Sequence, residues 1–340
     1  MAKKTLVRRV APDLSQQIRL GVQLGFLGLN VWLAVQFYLW VRFYETGGRS
    51  LAASRPDGIE GWLPIAALMN LKYLLVTREV PRVHAAGMFL LMAFLATSLL
   101  ARKAFCGWLC PIGTISEYLW KLGRETFRKT WTLPRWLDIP LRSLKYILLG
   151  LFLYAVLSMS AEAIDAFLQG PYGQVADVKM LNFFRYLSTG AAITIAVLVV
   201  ASIFVKNFWC RYLCPYGAMM GLVALASPLR IRRTPEKCID CAKCAKACPS
   251  VLPVDQLIQI RSPECLACME CVAVCPAEGA LALTPLATKR PVPAWAVAVL
   301  VLSLFGGVYT YANYMGYWQT SLPADVYFDL VPKANEFSHP

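Results

Sequence analysis

Histidine is almost absent from this chain, which has two among its 340 residues. His84 and His339 lie far apart in the sequence, so we do not expect a haem held by two histidines, and we interpret His84 as an ordinary interfacial residue. The chain lacks a Cys-x2-Cys-His motif, which excludes attachment of a c-type haem. It also has no phosphate-binding loop and no dinucleotide fingerprint. Nothing in it resembles a catalytic triad, so the sequence indicates no bond chemistry on a substrate.

Acidic residues are scarce as well. Asp and Glu number 20 against 34 Lys and Arg, which gives a net charge of +14. Hydrophobic residues make up 58% of the chain, above the about 45–50% that is usual for soluble domains. Ten Trp and fifteen Tyr are typical of a membrane protein with aromatic belts. We therefore attribute the charge to membrane sidedness and expect membrane lipid, and no nucleic acid, as a partner.

No cysteine stands alone, since all twelve belong to motifs, which favours metal binding over disulfides. Eight form two runs of the pattern Cys-x2-Cys-x2-Cys-x3-Cys-Pro, CIDCAKCAKACP and CLACMECVAVCP. Bacterial two-cluster ferredoxins have this ligand pattern, in which the fourth cysteine of each run binds the other run's cluster. The sequence predicts two [4Fe–4S] clusters, one held by Cys238, Cys241, Cys244 and Cys275 and the other by Cys265, Cys268, Cys271 and Cys248. A pair of zinc knuckles is the alternative, which the doubled order of eight cysteines disfavours.

Apolar runs predict five membrane-spanning helices, since about 20 residues cross a bilayer. Gly61–Val76 is apolar but short and contains Pro64, Asn70 and Lys72, so we predict that it is re-entrant or interfacial. We expect no cleavable signal peptide, because the first apolar run is too long for one. The predicted order is a cytoplasmic N-terminal segment 1–19, a span 20–41, an outer loop 42–83, a span 84–101, a cysteine segment 102–145, a span 146–161, an outer loop 162–188, a span 189–205, a cysteine segment 206–233, a ferredoxin domain 234–288, a span 294–311 and an outer tail 312–340.

The distribution of charge sets the predicted orientation. With the N-terminus inside, the inner segments 1–19, 102–145 and 206–290 carry 25 of the 34 basic residues and 10 of the 20 acids. The outer segments carry the remaining 9 basic and 10 acidic residues. The positive-inside rule therefore predicts that both cysteine segments and the ferredoxin domain face the cytoplasm and that the C-terminus lies outside.

A second cysteine pattern occurs twice, 104 residues apart, as AFCGWLCPIG from Ala104 and FWCRYLCPYG from Phe208. Each copy follows an apolar span and its basic flank, so we interpret the chain as two related membrane units. The Cys-x3-Cys spacing predicts two thiols on one face of a helical turn. We expect the following proline to disrupt helix hydrogen bonding and the glycine two residues later to permit a sharp turn.

Related units tend to pack about a pseudo-symmetry axis, so we expect Cys106, Cys110, Cys210 and Cys214 to converge at the inner membrane surface. Four thiolates match the ligand set of a third iron–sulfur cluster, [2Fe–2S] or [4Fe–4S]. Copper and a redox dithiol are the alternatives. Simple packing of buried cysteines is disfavoured because the pattern is duplicated.

CGWLCPIG and CRYLCPYG beside the two ferredoxin runs resemble the NapH/MauN ferredoxin-type membrane proteins. Similar elements occur in the iron–sulfur part of NosR and in CcoG. The resemblance extends from about Phe89 to Ala287, whereas the fifth span and the tail go beyond the shorter NapH pattern. It implies electron transfer at the bacterial inner membrane, often beside a quinol-linked periplasmic reductase or dehydrogenase. It also implies that all twelve cysteines named above are motif positions.

The resemblance implies that the ferredoxin part is a small duplicate of the βαβ type. Ile258 and Ile260 in one half, and Leu281 and Leu283 in the other, alternate as strand residues do. We interpret the surrounding basic residues as a solvated inner face, with a docking surface for an acidic redox partner as the alternative; they are Lys237, Lys243, Lys246 and Arg261.

The second outer loop contains three acids. We interpret Glu162, Asp165 and Asp177 as solvated loop residues, with proton acceptors for quinol as the alternative.

We therefore predict an all-α polytopic membrane bundle of about five spans, with a duplicated two-span unit and an inserted small α+β two-cluster ferredoxin domain. The predicted function is a non-catalytic electron-transfer subunit, in which the clusters carry the redox chemistry. It would pass electrons between the quinone pool or a cytoplasmic donor and a membrane or periplasmic redox partner. The alternative is a metal-centre assembly factor that reduces copper or thiols, and copper binding at the Cys-x3-Cys-Pro pairs would favour it.

Overall fold

The computed structural model describes residues 7–9, 12–128, 130–288, 290–320 and 322–338. These residues are mostly helical and include one two-stranded sheet. They divide into two compact units. Unit 1 comprises the described residues of Met1–Leu27, Phe94–Leu149 and Ala196–Leu304, and unit 2 comprises those of Gly28–Ala93, Gly150–Ile195 and Phe305–Pro340. His339 lies outside the described residues, as do both chain ends.

The chain passes between the two units five times, each time within an apolar helix. These helices are α1 (Ser15–Glu45), α3 (Ala85–Ala101), α5 (Arg135–Ser158), α9 (Thr189–Phe204) and α13 (Ala294–Tyr314).

Not all five helices are long enough to cross a membrane. By length and composition α1, α5 and α13 qualify, and α9 forms a fourth candidate together with α8 (Ala176–Arg185), from which it is bent by 81°. Helix α3 has 17 residues, or about 26 Å at 1.5 Å per residue, against a hydrocarbon core of about 30 Å. The described residues therefore contain three or four candidate spans, where the sequence predicted five.

Two helices are longer than the spans predicted there. Helix α1 extends beyond 20–41 at both ends, and α5 begins eleven residues before the predicted start at 146 and ends at Ser158. The extra turns of α5 contain Asp138, Arg142 and Lys145. A search for apolar runs omits such charged turns, although they are helical.

Unit 1 contains the cysteine motifs and the sheet. Its remaining elements are α4 (Pro111–Phe127), α10 (Pro215–Val223), the short helices α11 (Lys243–Ala247) and α12 (Glu270–Ala273), a 3₁₀ turn (Ala224–Ala226), two π-helical turns (Phe105–Leu109 and Trp209–Leu213), and strands β1 (Leu229–Arg233) and β2 (Leu281–Pro285).

The sheet corrects the predicted ferredoxin strands. Strands β1 and β2 pair antiparallel, with the buried Ile231 opposite the buried Leu283. Strand β2 contains both predicted leucines, but the predicted strand at Ile258 and Ile260 is reduced to one bridge, between Gln259 and Arg232. The pairing strand β1 begins at Leu229, before the predicted domain start at 234. The strand that pairs with β2 is therefore β1, which precedes the first cysteine run in the chain.

In unit 2, helices form much of the segments that the sequence predicted to be outer loops and the outer tail. They are a 3₁₀ turn (Asp57–Trp62), α2 (Pro64–Thr77), α6 (Ala161–Gln169), α7 (Pro171–Gln174), α8 and α14 (Ala324–Leu330). The apolar stretch 61–76 forms mainly α2, which starts at Pro64 because proline suits the first helical position. Loop 162–188 is helical over most of its length. One hydrophobic core of unit 2 contains Phe37, Trp40, Ile59, Val178 and Tyr327.

Candidate functional site

Four cysteines line one cavity in unit 1. They are Cys248, Cys265, Cys268 and Cys271, all of them buried. The rest of the wall is apolar and includes Leu252 and Ile260. Burial, followed by the neighbouring thiols, raises the pKa of Cys271 well above its usual value. The crossed set predicted for the second cluster therefore shares one apolar space.

The other four ferredoxin cysteines form a second, more accessible group. Cys275 interacts electrostatically with Cys238, Cys241 and Cys244. Cys241 is exposed, Cys238 and Cys275 are half-buried, and Cys244 is buried. Burial is the main reason that the pKa of Cys275 is raised. This is the crossed set predicted for the first cluster.

Both cysteine runs adopt the same unusual backbone. Asp240 and Ala242 in the first run have left-handed φ values of 56° and 57°, and Ala267 and Met269 at the matching positions of the second run have 49° and 58°. Such values cost roughly 1–2 kcal/mol per non-glycine residue. Alternating right- and left-handed residues turn backbone N–H groups inward to form the anion-binding concavities found at many iron–sulfur sites. Both runs therefore fit a cluster that carries negative charge.

The Cys-x3-Cys-Pro motifs form π-helical turns, where the sequence predicted a regular helical turn. In each copy the N–H of the second cysteine donates to the carbonyl five residues earlier, at 2.9 Å from Cys110 to Phe105 and 3.0 Å from Cys214 to Trp209. Both second cysteines are extended, and the prolines begin α4 and α10. Single π-turns are frequent at functional sites.

The sequence predicted that the glycine after each motif permits a sharp turn, but both glycines lie inside helices, and only the first allows a close approach. Gly113 lies inside α4, and a Cβ there would lie 2.3 Å from the carbonyl oxygen of Cys106. Gly217 lies inside α10, where a Cβ would make only ordinary contacts, 3.5 Å from Lys103 Nζ and 3.6 Å from Cys214 Sγ, so no close approach requires glycine there.

The four thiols of these motifs interact electrostatically with one another. Burial is the largest effect on the pKa of Cys210, which is raised further by Cys214, Cys110 and Cys106. Burial and Cys214 likewise raise the pKa of Cys110 to about 11, against two backbone N–H groups that lower it. These interactions between the two pairs support the predicted convergence of Cys106, Cys110, Cys210 and Cys214, which stays a prediction.

Two buried lysines and one carboxylate adjoin the four thiols. Lys145 Nζ lies 2.6 Å from Glu264 Oε1, and Lys103 Nζ lies 3.6 Å from Glu264 Oε2. Burial disfavours the charged carboxylate, but both lysines outweigh it and lower the pKa of Glu264 to about 2. Lys103 also interacts with Cys106, Cys214 and Cys210. When both lysines are charged, they and Glu264 carry a net charge of +1 beside the thiols.

The first π-turn packs directly on the loop between Cys265 and Cys268. Trp108 Nε1 donates to Ala267 O at 3.1 Å. A Cβ on Gly107 would lie 2.8 Å from Leu266 O, so glycine is required for this approach. The four-thiol group and the cavity of the second cysteine set therefore meet through a single layer of residues.

A buried ion network that the sequence did not indicate ties α1 to this region. Arg19 donates to Glu117 on α4 and to Glu270 on α12, at 3.1 Å for the latter. Gln16 Nε2 donates to Cys268 O at 2.9 Å. Arg19 lies in the basic N-terminal segment, where it was counted only as a membrane-sidedness charge. Gln16, Arg19 and Gln23 recur at helical spacing, and this polar face of α1 was the sequence signal that could have indicated the network.

His84 was wrongly interpreted as an ordinary interfacial residue. It is buried in unit 2, with Nδ1 3.2 Å from Glu60 Oε1 and Nε2 2.8 Å from Gly173 O. Arg55 Nη2 donates to Glu60 at 2.9 Å and to Asp177 at 2.7 Å.

Asp177 was likewise wrongly interpreted as a solvated residue, since it is buried, whereas Glu162 is exposed and Asp165 half-buried. The chain folds α8 back over the 3₁₀ turn, which the loop composition did not reveal.

Among the described residues no group of three or more Cys, His, Asp or Glu side chains is spaced for a single metal ion. The ligands of an iron–sulfur cluster surround several irons and are spread more widely. The donor sets here, all thiols around shared spaces, have the composition that such clusters require.

Models of known families match these regions. A model of a 4Fe-4S binding domain matches twice, at residues 83–130 and 187–234. A model of a 4Fe-4S dicluster domain matches residues 230–276. The first model covers the two Cys-x3-Cys-Pro motifs and the second covers the ferredoxin runs.

Several relatives are similar to the chain. The putative electron transport protein YccM of Escherichia coli K12 is 52% identical over 326 residues, 94% of this chain and 91% of YccM. The ferredoxin-type protein NapH of Haemophilus influenzae is 25% identical over 234 residues, 64% of this chain and 76% of NapH. The regulatory protein NosR of Pseudomonas aeruginosa is 31% identical over 164 residues, 47% of this chain and 22% of NosR. No solved structure matches the chain.

Proposed function

This chain belongs to the NapH-like family of ferredoxin-type membrane proteins that includes YccM, and from that premise we propose that it relays electrons through three iron–sulfur sites in unit 1. The observation that carries the proposal is the contact between the first π-turn, which contains Cys106 and directly precedes Cys110, and the loop of the second ferredoxin set. Bound clusters supply one-electron oxidation and reduction.

We assign the ferredoxin ligands in the crossed pattern. The buried set, Cys248, Cys265, Cys268 and Cys271, holds one [4Fe–4S] cluster, and Cys238, Cys241, Cys244 and Cys275 hold the other. The left-handed residues between the cysteines would place backbone N–H groups around a bound cluster, where they would favour its reduced, more negative state. The exposed Cys241 makes the first cluster the entry or exit point for a soluble partner.

The charge balance supports a third cluster at Cys106, Cys110, Cys210 and Cys214. Lys103 and Lys145 bring two positive charges into a buried site, and Glu264 supplies one negative charge. A buried unpaired charge is strongly unfavourable, and four neutral thiols would leave the excess uncompensated. A four-thiolate iron–sulfur cluster carries net negative charge and would compensate it.

The protein residues hold these sites and bury the second ferredoxin set, Cys248, Cys265, Cys268 and Cys271. Trp108 and Gly107 fix the separation of the third site from the second cluster. Glu264 links the same two regions, because it binds Lys103 and Lys145 and directly precedes Cys265. Together they give electrons a path through covalently and noncovalently contiguous atoms.

The proposed setting is the bacterial inner membrane, with the three sites on the cytoplasmic side. The basic residues of unit 1 support this orientation by the positive-inside rule. The electrons would pass between the quinone pool or a cytoplasmic donor and a redox subunit in the membrane or periplasm, as a non-catalytic part of an oxidoreductase complex.

The relay is tested by the order of reduction. Anaerobic protein in nanodiscs is mixed with photoreduced flavin and frozen at intervals for EPR. We expect the third-site signal to appear after the ferredoxin signals, and we expect Cys265→Ser to slow its appearance at least tenfold while the third-site iron stays bound. An unchanged rate of third-site reduction in Cys265→Ser would refute the relay through the second cluster.

A further inference from the structure

A second cavity in unit 1, of about 630 Å³, belongs to none of the thiol groups. Three segments line it: Trp131–Arg142 before and at the start of α5, Val205–Tyr212 at the second π-turn, and Ala245–Gln256 in the first ferredoxin half. The volume falls within the about 300–1,000 Å³ of small-molecule sites. The cavity therefore has room for a polar group with several heavy atoms.

The wall of this cavity is electropositive. Asp138 accepts hydrogen bonds from Arg211 Nη2 at 2.7 Å and from the Tyr212 hydroxyl at 2.6 Å, and it also pairs with Arg142. Lys206 Nζ donates to the carbonyls of Lys246 and Cys248, at 2.5 Å for the former, which adds a third cation.

One further acid lies in the wall. Asp255 is half-buried and interacts electrostatically with the Cys244 thiol. Three cations against two carboxylates leave a net positive charge.

Two guanidinium N–H groups of the wall lack an acceptor. The Nε atoms of Arg142 and Arg211 are sealed from solvent and have no hydrogen-bond partner among the described residues. Arg211 is 7% exposed. A buried donor without a partner costs about as much as a lost hydrogen bond. Both arginines line the cavity, so an anion bound in it would lie beside two guanidinium groups.

One side of the cavity is apolar and continues along a candidate span. Trp131 and Ile139 are more than half exposed, and so is the neighbouring Trp136. Trp131 stacks on Phe204, with ring centroids 5.1 Å apart. Helix α5 from Trp136 to Ser158 is apolar and long enough to cross a membrane. Tryptophan is enriched where a bilayer meets water, so an apolar tail could leave the cavity along this helix.

We infer that this cavity binds the phosphodiester headgroup of an anionic phospholipid, with Arg142 and Arg211 as the main donors and Lys206 as a further cation. Basic pockets beside spanning helices bind such headgroups. The bound lipid would join the segment before α5 to the loop that follows Cys248. It would thereby anchor the first ferredoxin half at the membrane surface.

The test counts retained lipid. The protein is placed in phosphatidylcholine nanodiscs that contain increasing fractions of phosphatidylglycerol. The lipids that it retains are then counted by native mass spectrometry. We expect one phosphatidylglycerol to be retained in preference to phosphatidylcholine, at least tenfold weaker binding in Arg142→Gln, and no change in Arg261→Gln, which removes an exposed arginine outside the cavity. Total iron equal to the wild type shows that each variant is folded.

Two outcomes would overturn the inference. One is equal retention of phosphatidylcholine and phosphatidylglycerol by the wild type, which needs no variant to be informative. The other is displacement of the lipid by millimolar inorganic phosphate, which would show a site for a small free anion instead. Arg142→Lys keeps the charge and removes the planar guanidinium, so we expect its affinity to lie between those of the wild type and Arg142→Gln.

Discussion

Individual charges decide what the buried sites can hold. Lys103 is 2% exposed and shares Glu264 with Lys145, which is fully buried. Sequence reasoning counted both lysines only as evidence for membrane sidedness. Their burial could not be read from the sequence, because a Lys at the end of an apolar run is usually solvated. Their partner Glu264 is 119 residues from Lys145.

We predict that Lys103→Gln lowers the reduction potential of the third site. The buried ammonium attracts an added electron, and its loss removes a Coulomb term that corresponds to a shift on the order of tens of mV. EPR-monitored redox titration measures the shift. The matched control is Lys243→Gln, which removes an exposed lysine, and equal potentials in Lys103→Gln and the wild type would contradict the electrostatic account.

His84 makes the stability of unit 2 depend on pH. Burial favours the neutral imidazole, but Glu60 and Asp177 outweigh it, so the pKa of His84 is raised above 6.5. Its stabilising contribution is therefore complete below about pH 6.5 and is lost as the pH rises through the folded-state pKa. Burial also disfavours charged Glu60, yet Arg55 and His84 lower its pKa to about 2, so the contribution of Glu60 is lost as the pH falls from about 4.5 towards 2.

We predict that His84→Gln costs about 3 kcal/mol below pH 6.5, as expected when one partner of a buried pair is removed. The variant should also lose the decline in stability on the alkaline side. Thermal unfolding in detergent, followed by tryptophan fluorescence between pH 5 and 9, measures both. If the stability of the wild type and of the variant declined in parallel above pH 6.5, the alkaline loss of stability would belong to another titratable group.

At the scale of elements, the two cysteine patterns differ in how much the sequence reveals. The ferredoxin spacing predicts its loops well, because the ligand spacing and the backbone are linked. The Cys-x3-Cys-Pro spacing predicted a regular turn, but the π-turn depends on the five-residue hydrogen bond from Cys110 to Phe105. The displaced strand β1 was missed for a similar reason, since its partner β2 lies about 50 residues away and sets the register.

We predict that Gly113→Ala disrupts the third site. A Cβ would clash with the carbonyl oxygen of Cys106 at 2.3 Å, and that atom belongs to the backbone of the π-turn. Iron should fall to the content of the ferredoxin clusters, with a loss of stability of about 1–3 kcal/mol from overpacking. The measurements are iron analysis and thermal unfolding.

Gly150→Ala is the matched control, because Gly150 lies in α5 with nothing within 4 Å of its Cβ position. It should leave iron unchanged and stabilise the helix by up to about 1 kcal/mol. Full iron in Gly113→Ala would show that the turn tolerates displacement.

At the scale of the whole molecule, apolar runs located the long helices, and the cysteine motifs located the candidate site. Charged turns at the start of α5 and the helices of the outer loops were missed, because tertiary burial of Asp138 and Asp177 makes helices out of polar segments. The three or four candidate spans leave out the short α3, so the predicted count of five stays a prediction.

We predict that fusions of an enzymatic reporter after Arg128 report the cytoplasm and fusions after Asp177 and Pro340 report the periplasm. The reason is the 25-to-9 division of basic residues between the two sets of segments. Alkaline phosphatase and a cytoplasmic reporter at each site give opposite readings. Phosphatase activity after Arg128 would refute the proposed orientation.

The central claim is that the chain holds a third cluster between the two Cys-x3-Cys-Pro motifs, and its most direct test is the iron content of anaerobic protein with and without Cys106 and Cys210. The account predicts iron beyond the about eight atoms of two [4Fe–4S] clusters, and a fall to about eight in Cys106→Ser/Cys210→Ser with both ferredoxin EPR signals retained. The same iron content in the wild type and the double variant, or copper in place of the additional iron, would contradict it.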